Sequence, residues 1–262
     1  MEQAKDFLQE SLALHGLLSE RPDSDFELIT QFKAWTINDV LRHLHYWNWM
    51  AWLQLNDEGL LIAQMSAIAR AGGMQPVERA HVEGAGGQAL LALWKAQAEA
   101  TAQAFSTADP KARLKWAGPD MSARSSITAR LMETWAHGQE IYDRLGATRV
   151  ETDRIRNIVV LGINTFGWTF RNRKLDVPAT MPFVRLIAPS GDVWTYGDES
   201  AAERIEGRAD EFCQVVTQTR NIGDTELQVK GQTAETWMAY AQCFAGNPET
   251  PPEAGARTKH SS

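Results

Sequence analysis

The segment RLMETWAHGQEIYDR, residues 130–144, places Glu133 and His137 four residues apart in a strongly helical context. Side chains at positions i and i+4 of an α-helix lie on the same face, with Cβ atoms about 5–6 Å apart. A carboxylate and an imidazole on one helix face can therefore reach a common metal ion. The segment predicts a helix that contributes two ligands of a metal site.

The third ligand is expected from a second helix, upstream in the segment WTINDVLRHLHYW, residues 35–47. We interpret His43 as this ligand. His45 lies on nearly the opposite helix face, so both cannot easily bind one ion, and we assign His45 to packing or to support of the site. Asp39 lies one turn before His43, but Thr36 and Asp39 form the T-x-x-D variant of a capping box, and we prefer that explanation.

Two histidines and one carboxylate are typical of zinc with an open coordination position, or of a facial-triad iron site. Each part has an ordinary explanation when taken singly. An E-x-x-x-H pair is common on helix surfaces, and a buried histidine bonded to a carbonyl group is commoner than a ligand. Together they favour a metal site, because a helical bundle can aim side chains of facing helices at one point.

The composition is that of an ordinary globular protein, with 44 % hydrophobic and 23 % charged residues among 262. The formal net charge is −7, without a Lys/Arg cluster, which argues against nucleic acid or an anionic membrane as a partner. The apolar stretches are too short to span a bilayer, and the charged N-terminus is unlike a signal peptide. We therefore expect a cytoplasmic protein whose two cysteines, Cys213 and Cys243, are buried thiols.

The hydrophobic pattern of the first part of the chain predicts a four-helix bundle at residues 1–148. The predicted helices are 2–20, 36–55, 88–105 and 122–144. The connection between the second and third helices, from Met65 to Gly87, contains five glycines and one proline. This composition predicts a long loop, either the rim of a site or a surface excursion.

After Gly146 the pattern becomes mixed, and we predict a small α+β domain at residues 149–247. The segments FVRLIA (183–188) and VWTYG (193–197) predict two strands joined by a turn. The other predicted elements are helices at 152–170, 209–218 and 233–246 and a strand within 225–231. Residues 248–262 have the composition of a disordered tail. The predicted fold class of the whole chain is α+β.

Two motifs resemble the DinB-like metal-binding bundles: W-T-x-x-D-V-x-x-H-L at 35–44 and E-x-x-x-H-G at 133–138. Among these proteins, the chain is most similar to the mycothiol-dependent maleylpyruvate isomerase type. The resemblance implies that His43, Glu133 and His137 hold a divalent metal, usually zinc, although nickel, manganese or iron would accept the same ligands. It also implies a DinB-like four-helix bundle followed by a small C-terminal α/β domain related to sterol-carrier-like folds.

The resemblance also suggests a cation for the reaction. Isomerases of this type have a catalytic arginine on the C-terminal domain, and the nearest position here is Arg220, in TQTRNIGDT. The alternative for Arg220 is a solvated loop arginine. Arg124 and Arg130, beside the metal helix, are further candidates to hold an acidic substrate or stabilise an enolate. The segments 121–139 and 211–231 are similar to a subgroup known only as metal-binding proteins, from which no activity carries over.

The function implied by the resemblance is a metal-dependent enzyme with a low-molecular-weight thiol as co-substrate. It would be a thiol S-transferase or a cis–trans isomerase acting through a thiol adduct, because metal coordination produces thiolate at neutral pH. One alternative is a metal-dependent hydrolase or hydratase. Another is a non-enzymatic small-molecule-binding protein with a structural metal, which would need a fourth ligand such as His15 or His45. The expected partners are small molecules, and the chain is expected to be a monomer or a homodimer.

Overall fold

The computed structural model describes residues 1–116 and 120–259, and the chain divides into two compact units, Met1–Leu145 and Gly146–Ser262. The first unit is mainly helical. Its helices are α1 (Glu2–Leu18), α2 (Ile37–Asn56), α3 (Glu58–Ala71), α4 (Met74–His81), α5 (Gly87–Thr107) and α6 (Ala123–Arg144). Two short antiparallel strands, β1 (Arg113–Leu114) and β2 (Met121–Ser122), precede α6.

Four of these helices form the predicted bundle. Helices α1 and α2 each pack against both α5 and α6. Buried apolar side chains from all four helices share one core, among them Phe7, Ala51, Phe105 and Ile127. The amphipathic patterns that predicted the helices therefore also identify the faces that the bundle buries.

The start of α2 is fixed by the predicted capping box. The backbone N–H of Asp39 donates to Thr36 Oγ1 at 3.1 Å, and the Thr36 N–H donates to Asp39 Oδ2 at 3.2 Å. Arg42 and Arg79 also donate to Asp39, each at 3.2 Å. The carboxylate is thus occupied at the helix end, which agrees with the capping interpretation rather than with a role in orienting His43.

The predicted loop from Met65 to Gly87 is wrong, because this part of the chain contains the second half of α3 and the whole of α4. Its glycines stand at helix boundaries. Gly72 has the left-handed φ of 70° that ends α3, and Gly73 is the N-cap of α4. Both helices pack on α2. The connection is therefore a structural layer of the first unit.

The second unit combines four helices with a four-stranded sheet, which confirms the predicted α+β class. The sheet order is β4-β3-β5-β6, with β3 and β5 parallel and the other neighbours antiparallel. The strands are β3 (Phe183–Ile187), β4 (Val193–Tyr196), β5 (Arg204–Arg208) and β6 (Gln228–Lys230). The helices are α7 (Arg156–Asn164), α8 (Phe166–Asn172), α9 (Ala209–Val216) and α10 (Gln232–Tyr240).

Aromatic side chains from three of these helices form the centre of the second unit. The ring of Trp237 lies 4.9 Å from that of Phe166 and 5.8 Å from that of Phe212, in edge-to-face contacts. Both cysteines, Cys213 and Cys243, are buried, as predicted. No helix of the described residues is both long and apolar enough to cross a membrane.

Residues 248–259 follow α10 without forming a helix or a strand. Several hydrogen bonds connect them to the segment after α9. For example, Asn221 donates to the carbonyl of Pro252 at 2.8 Å, and the N–H of Gly255 donates to Asp224 at 2.8 Å. The predicted disordered tail extends to residue 262, and its last three residues lie outside the described part of the chain.

Candidate metal centre

Three side chains from α2 and α6 converge on one point in the first unit: His43, Glu133 and His137. Each offers one ligand atom, and these atoms all lie within 4.8 Å of one another. His137 Nε2 is 3.3 Å from Glu133 Oε2, and His43 Nε2 is 3.8 Å from the same oxygen. Ligand atoms at about 2.0 Å from a tetrahedral zinc are about 3.3 Å apart, so the donor set fits a small divalent cation.

The triad is enclosed but not sealed. The side chains of His43 and His137 are 10 % and 11 % exposed, whereas the side chain of Glu133 is 22 % exposed. Within residues 1–116 and 120–259, the cluster has these three members, without His15 or His45. Structural zinc normally has four protein ligands, whereas three leave a position for water or substrate. Three possible ligands are the number typical of catalytic rather than structural zinc sites.

His45 lies in a different environment from His43, although it is only two residues away. Its ring is 5.3 Å from that of His81, on α4. Burial, with a smaller contribution from His81, lowers the pKa of His45 to about 4. A neutral, buried imidazole against α4 agrees with the packing role assigned from the sequence.

Glu78, on α4, contacts the nitrogen of His43 that is not directed at Glu133. Its Oε1 atom lies 2.9 Å from His43 Nδ1 and accepts a hydrogen bond from Trp47 Nε1 at 3.0 Å. Since a carboxylate only accepts, Nδ1 of His43 donates and Nε2 is left as the ligand atom. No motif in the sequence predicted this contact, because Glu78 lies 35 residues from His43 in the segment predicted as a loop.

Two aromatic rings from the turn before α2 cover the imidazoles. Phe32 meets the ring of His137 edge-on at 4.9 Å, and Trp35 stacks on the same ring at 6.0 Å. Trp35 also lies 5.3 Å from the ring of His43. The two residues between Phe32 and Trp35 have left-handed φ angles of 48° and 56°, a conformation that costs L-residues about 1–2 kcal/mol each. Strain of this kind is concentrated at functional sites.

The charges of the triad stabilise one another. Burial would raise the pKa of Glu133, but the rings of His137 and His43 and the Arg130 guanidinium hold it well below its ordinary value. Burial would lower the pKa of His43, but Glu133 and Glu78 raise it above its ordinary value. For His137, burial prevails and the pKa is lowered. The lowered pKa of Glu133 favours the ionised carboxylate, which is the form that binds cations.

The three predicted cations lie in different places. Arg130 is buried on α6, with NH2 3.9 Å from Glu133 Oε1. Arg124 is exposed at the start of the same helix. Arg220 belongs to the second unit, where it follows α9 and its NH1 donates to the carbonyl of Thr219 at 2.8 Å. Within the first unit, Arg130 is the predicted arginine that contacts the triad.

Known proteins resemble both parts of the chain. Residues 7–142 match the family described as mycothiol maleylpyruvate isomerase N-terminal domain, a range that includes the triad, Glu78 and Arg130. Two uncharacterized proteins, from two strains of Mycobacterium tuberculosis, are each 34 % identical over 244 residues. These matches cover 93 % of this chain and 95 % of each relative.

Two solved structures have a similar fold. They are the mycothiol-dependent maleylpyruvate isomerase, with a TM-score of 0.51 at 15 % identity, and a histidine-to-alanine mutant of that enzyme, with 0.53 at 14 %. Each match covers 82 % of this chain and 87 % of the other. This likeness shows the fold alone, whereas the match of residues 7–142 shows the family. The chain belongs to the mycothiol maleylpyruvate isomerase N-terminal domain family.

Proposed function

We propose that the protein is a metal-dependent enzyme that brings a low-molecular-weight thiol to an activated electrophile. It acts as a thiol S-transferase or as a thiol-dependent cis–trans isomerase. The observation that carries the proposal is the ligand set of two imidazoles and one carboxylate, which has three members among the described residues. Three protein ligands leave a position for an exogenous group, and the family supports a thiol as that group.

The proposed metal ligands are His43, Glu133 and His137, and zinc is the proposed metal. When bound, a divalent cation lowers the pKa of a coordinated thiol, so that thiolate is available near neutral pH. The chain supplies the geometry. Glu78 holds the tautomer and orientation of His43, while Trp35 restricts the rings of both histidines.

The proposed chemistry is addition of the thiolate to a conjugated double bond. The sulfur forms a bond to the β-carbon, and the π electron pair moves to the carbonyl oxygen as an enolate. Rotation then takes place about the former double bond, which is now single. Return of the electron pair expels the same thiolate, so the isomerisation consumes no thiol. Protonation of the enolate carbon instead keeps the thiol on the product, which completes a transfer.

A cation beside the developing enolate oxygen would stabilise either route. In the first unit, Arg130 lies next to the triad and can serve this purpose. Arg220 stays a predicted catalytic residue of the second unit. Its role is checked by the activity of Arg220→Gln in the full chain, where unchanged turnover would contradict the prediction.

The metal assignment is tested by elemental mass spectrometry of the full-length protein. Wild type is compared with His43→Ala and with His45→Ala, a matched control on the same helix with the same 8 % exposure. We expect one metal ion per chain in wild type and in His45→Ala, and loss of the metal in His43→Ala. Absence of metal from wild type, even after reconstitution, would contradict the proposal.

The thiol assignment is tested with metal-loaded protein, a model enone and a panel of thiols that includes mycothiol. Loss of the enone absorbance, or conversion between the cis and trans isomers of the enone, is followed with and without thiol, and in the His137→Ala variant. We expect consumption or isomerisation that requires both thiol and metal. A reaction that proceeds equally without thiol would replace this proposal by the hydratase or hydrolase alternative.

A further inference from the structure

Residues 248–257 of the second unit form a strap, which lies on the rest of that unit without being a helix or a strand. The N–H of Glu249 donates to Gln242 Oε1 at 3.0 Å. The carbonyl of the same residue accepts hydrogen bonds from Gln218 Nε2, at 3.2 Å, and from Arg173. Side chains from outside the strap therefore bind both main-chain polar groups of this one residue.

The second half of the strap is bound in the same way, by the segment after α9. The carbonyl of Pro252 accepts from Asn221 Nδ2 at 2.8 Å, and the N–H of Gly255 donates to Asp224 Oδ1 at 2.8 Å. In both halves, side chains outside the strap contact its main chain. The contacts thus resemble those that hold an extended peptide ligand.

Two of the side chains that hold the strap are buried glutamines. Gln242 is 1 % exposed and Gln218 is 5 % exposed. The amide nitrogen of Gln218 also donates to the carbonyl of Ala241 at 2.9 Å, while Arg257 of the strap donates to the carbonyl of Gln218 at 2.8 Å. Gln218 has a left-handed φ of 58°, which costs about 1–2 kcal/mol. Because buried amides require hydrogen-bond partners, these two glutamines define where the strap binds.

The strap itself is suited to recognition through its backbone. Thr250 and Glu253 are exposed, whereas Pro251 and Pro252 are half-buried. Together with Pro248, these prolines restrict the strap to extended conformations before it binds, so less entropy is lost on ordering. In complexes with extended peptides, main-chain hydrogen bonds supply the affinity and side-chain pockets the specificity. The contacts here are mainly of the first kind, so many sequences should fit.

We propose that the second unit contains a binding site for the main chain of an extended, proline-containing peptide, and that the strap occupies this site in the same chain. One wall of the site is the segment 218–224. Gln218 and Asn221 stand on either side of Arg220 in this segment, so occupancy of the site fixes the backbone around that arginine. The site is independent of the metal centre and of the proposed thiol reaction.

The test asks whether the strap binds when it is no longer covalently attached. A specific protease site is inserted between Gly246 and Asn247 of the full-length protein, both of which are exposed, and the folded chain is cut there. A labelled synthetic peptide of residues 247–259 is then titrated in and followed by fluorescence anisotropy. We expect saturable binding to the cut protein and at least tenfold weaker binding to the uncut protein, in which the strap occupies the site.

Asn221→Asp tests the assigned contacts in the cut protein. It keeps the oxygen that accepts the N–H of Gly223 but removes the donor to Pro252. The affinity for the peptide should fall about 2–10-fold, the effect of one hydrogen bond. Asn164→Asp, at an exposed asparagine that ends α7, is the matched control and should keep the wild-type affinity.

Peptide variants test recognition through the backbone. A peptide with Thr250→Ala and Glu253→Ala should bind like the parent peptide. A peptide with Pro251→Gly and Pro252→Gly should bind more weakly, because it loses more conformational entropy when it becomes ordered.

Three outcomes would overturn the site: no saturable binding of the peptide to the cut protein, equal binding to the cut and uncut proteins, and equal affinity in wild type and Asn221→Asp. If the cut chain unfolds, hydrogen exchange of the uncut full-length protein decides the question. The Gly255 amide should exchange slowly in wild type and in Asp224→Asn, which keeps the acceptor, and faster in Asp224→Ala. Exchange at the rate of an unstructured chain in wild type would also overturn the proposal.

Discussion

Glu78 supplies no ligand atom, but its carboxylate decides which nitrogen of His43 faces Glu133. Its Oε1 atom receives hydrogen bonds from both His43 and Trp47, and its side chain is nearly inaccessible to solvent. The carboxylate thereby fixes one tautomer and one ring orientation. Partners of this kind also increase the basicity of a ligand histidine.

Substitution of Glu78 by glutamine should weaken zinc binding by about 10–100-fold. The amide has nearly the same shape but loses the charge that orients and polarises the His43 ring. The zinc affinity is measured by competition with a chelating indicator, in wild type, in Glu78→Gln and in a control variant. Glu83→Gln is the control, because Glu83 lies just after α4 and is exposed. Equal affinity in Glu78→Gln and Glu83→Gln would contradict the role of Glu78.

Zinc affinity should also depend on pH through His43. In the metal-free protein, burial opposes protonation of His43, but Glu133 and Glu78 outweigh it and raise its pKa above the ordinary 6.5. Zinc must displace this proton, so its affinity should fall about tenfold per pH unit below the raised pKa. Titrations between about pH 5 and 9 should show the change in slope, which moves to lower pH in Glu78→Gln. A zinc affinity that does not change with pH would contradict this role of His43.

The raised pKa of His43 has the opposite effect on the stability of the metal-free protein. Because the pKa of His43 is higher in the folded than in the unfolded state, its protonation stabilises the fold. This contribution is fully present below the unfolded pKa and is lost as the pH rises through the folded pKa. Zinc loading and the contribution of His43 to the stability of the metal-free fold therefore respond to pH in opposite directions.

Single residues were predictable where their spacing within one helix carried the signal. The i, i+4 pair of Glu133 and His137 and the capping box at Thr36 can be recognised locally. Glu78 could not be predicted, because its contact with His43 joins two separate helices. Their packing depends on side chains all along both, and no motif in the sequence encodes it. The ligand roles of the triad stay predictions until the metal is measured.

At the scale of elements, α4 shows why the connection from Met65 to Gly87 was predicted wrongly. Glycine clusters indicate a loop when they lie inside a segment, but here they separate short helices. The α4 helix has only eight residues and is attached to α2 by contacts with distant residues. Arg79 donates to Asp39, and the ring of His81 stacks on Trp49 at 4.2 Å. A helix this short is stabilised by tertiary packing rather than by its own propensity, so its sequence carries a weak signal.

Gly87 should be sensitive to substitution because it is the first residue of α5 and has a left-handed conformation with φ of 58°. An added Cβ would overlap with Asp23 Oδ1. The same oxygen accepts the N–H of Gln88 at the start of α5, at 2.9 Å. Gly87→Ala should therefore lower the free energy of unfolding by more than about 1 kcal/mol, through backbone strain and a lost cap.

Gly16→Ala is the matched control for that substitution. Gly16 lies within α1, and no atom lies within 4 Å of its added Cβ. Alanine there should raise the free energy of unfolding by about 0.5–1 kcal/mol, because it restricts the unfolded chain in a helical position. Both variants are measured by urea denaturation. Similar effects of the two substitutions would contradict the packing described around Gly87.

At the scale of the whole molecule, the chain changes at Gly146 from a mainly helical unit to a unit of helices and a sheet. Local patterns predicted the bundle before it and the mixed unit after it, including the β3–β4 hairpin. The strand β5 was not predicted, because it pairs in parallel with β3, from which β4 separates it in the sequence, and because it buries only Ile205 fully. Such non-local pairing leaves little periodicity in the sequence.

The two units should be separable for metal binding. All three proposed ligands, Glu78 and Arg130 lie within Met1–Leu145, which has its own buried core. A chain that ends at Leu145 should therefore fold, bind one zinc ion and unfold at a higher temperature when zinc is present. At about 100 times the dissociation constant, zinc should stabilise it by about 2.7 kcal/mol. Calorimetry with and without zinc measures this shift, and His137→Ala in the same truncated chain should abolish it.

Turnover should behave differently from metal binding in the truncated chain. The predicted catalytic Arg220 belongs to the second unit, so removal of that unit should abolish the thiol reaction while zinc still binds. A helical truncated chain that does not bind zinc would mean that the second unit supplies part of the metal centre. Full activity of the truncated chain would instead rule out Arg220 and leave Arg130 as the cation for the reaction. The two measurements on one truncation thus separate the site that holds the metal from the groups that carry out the chemistry.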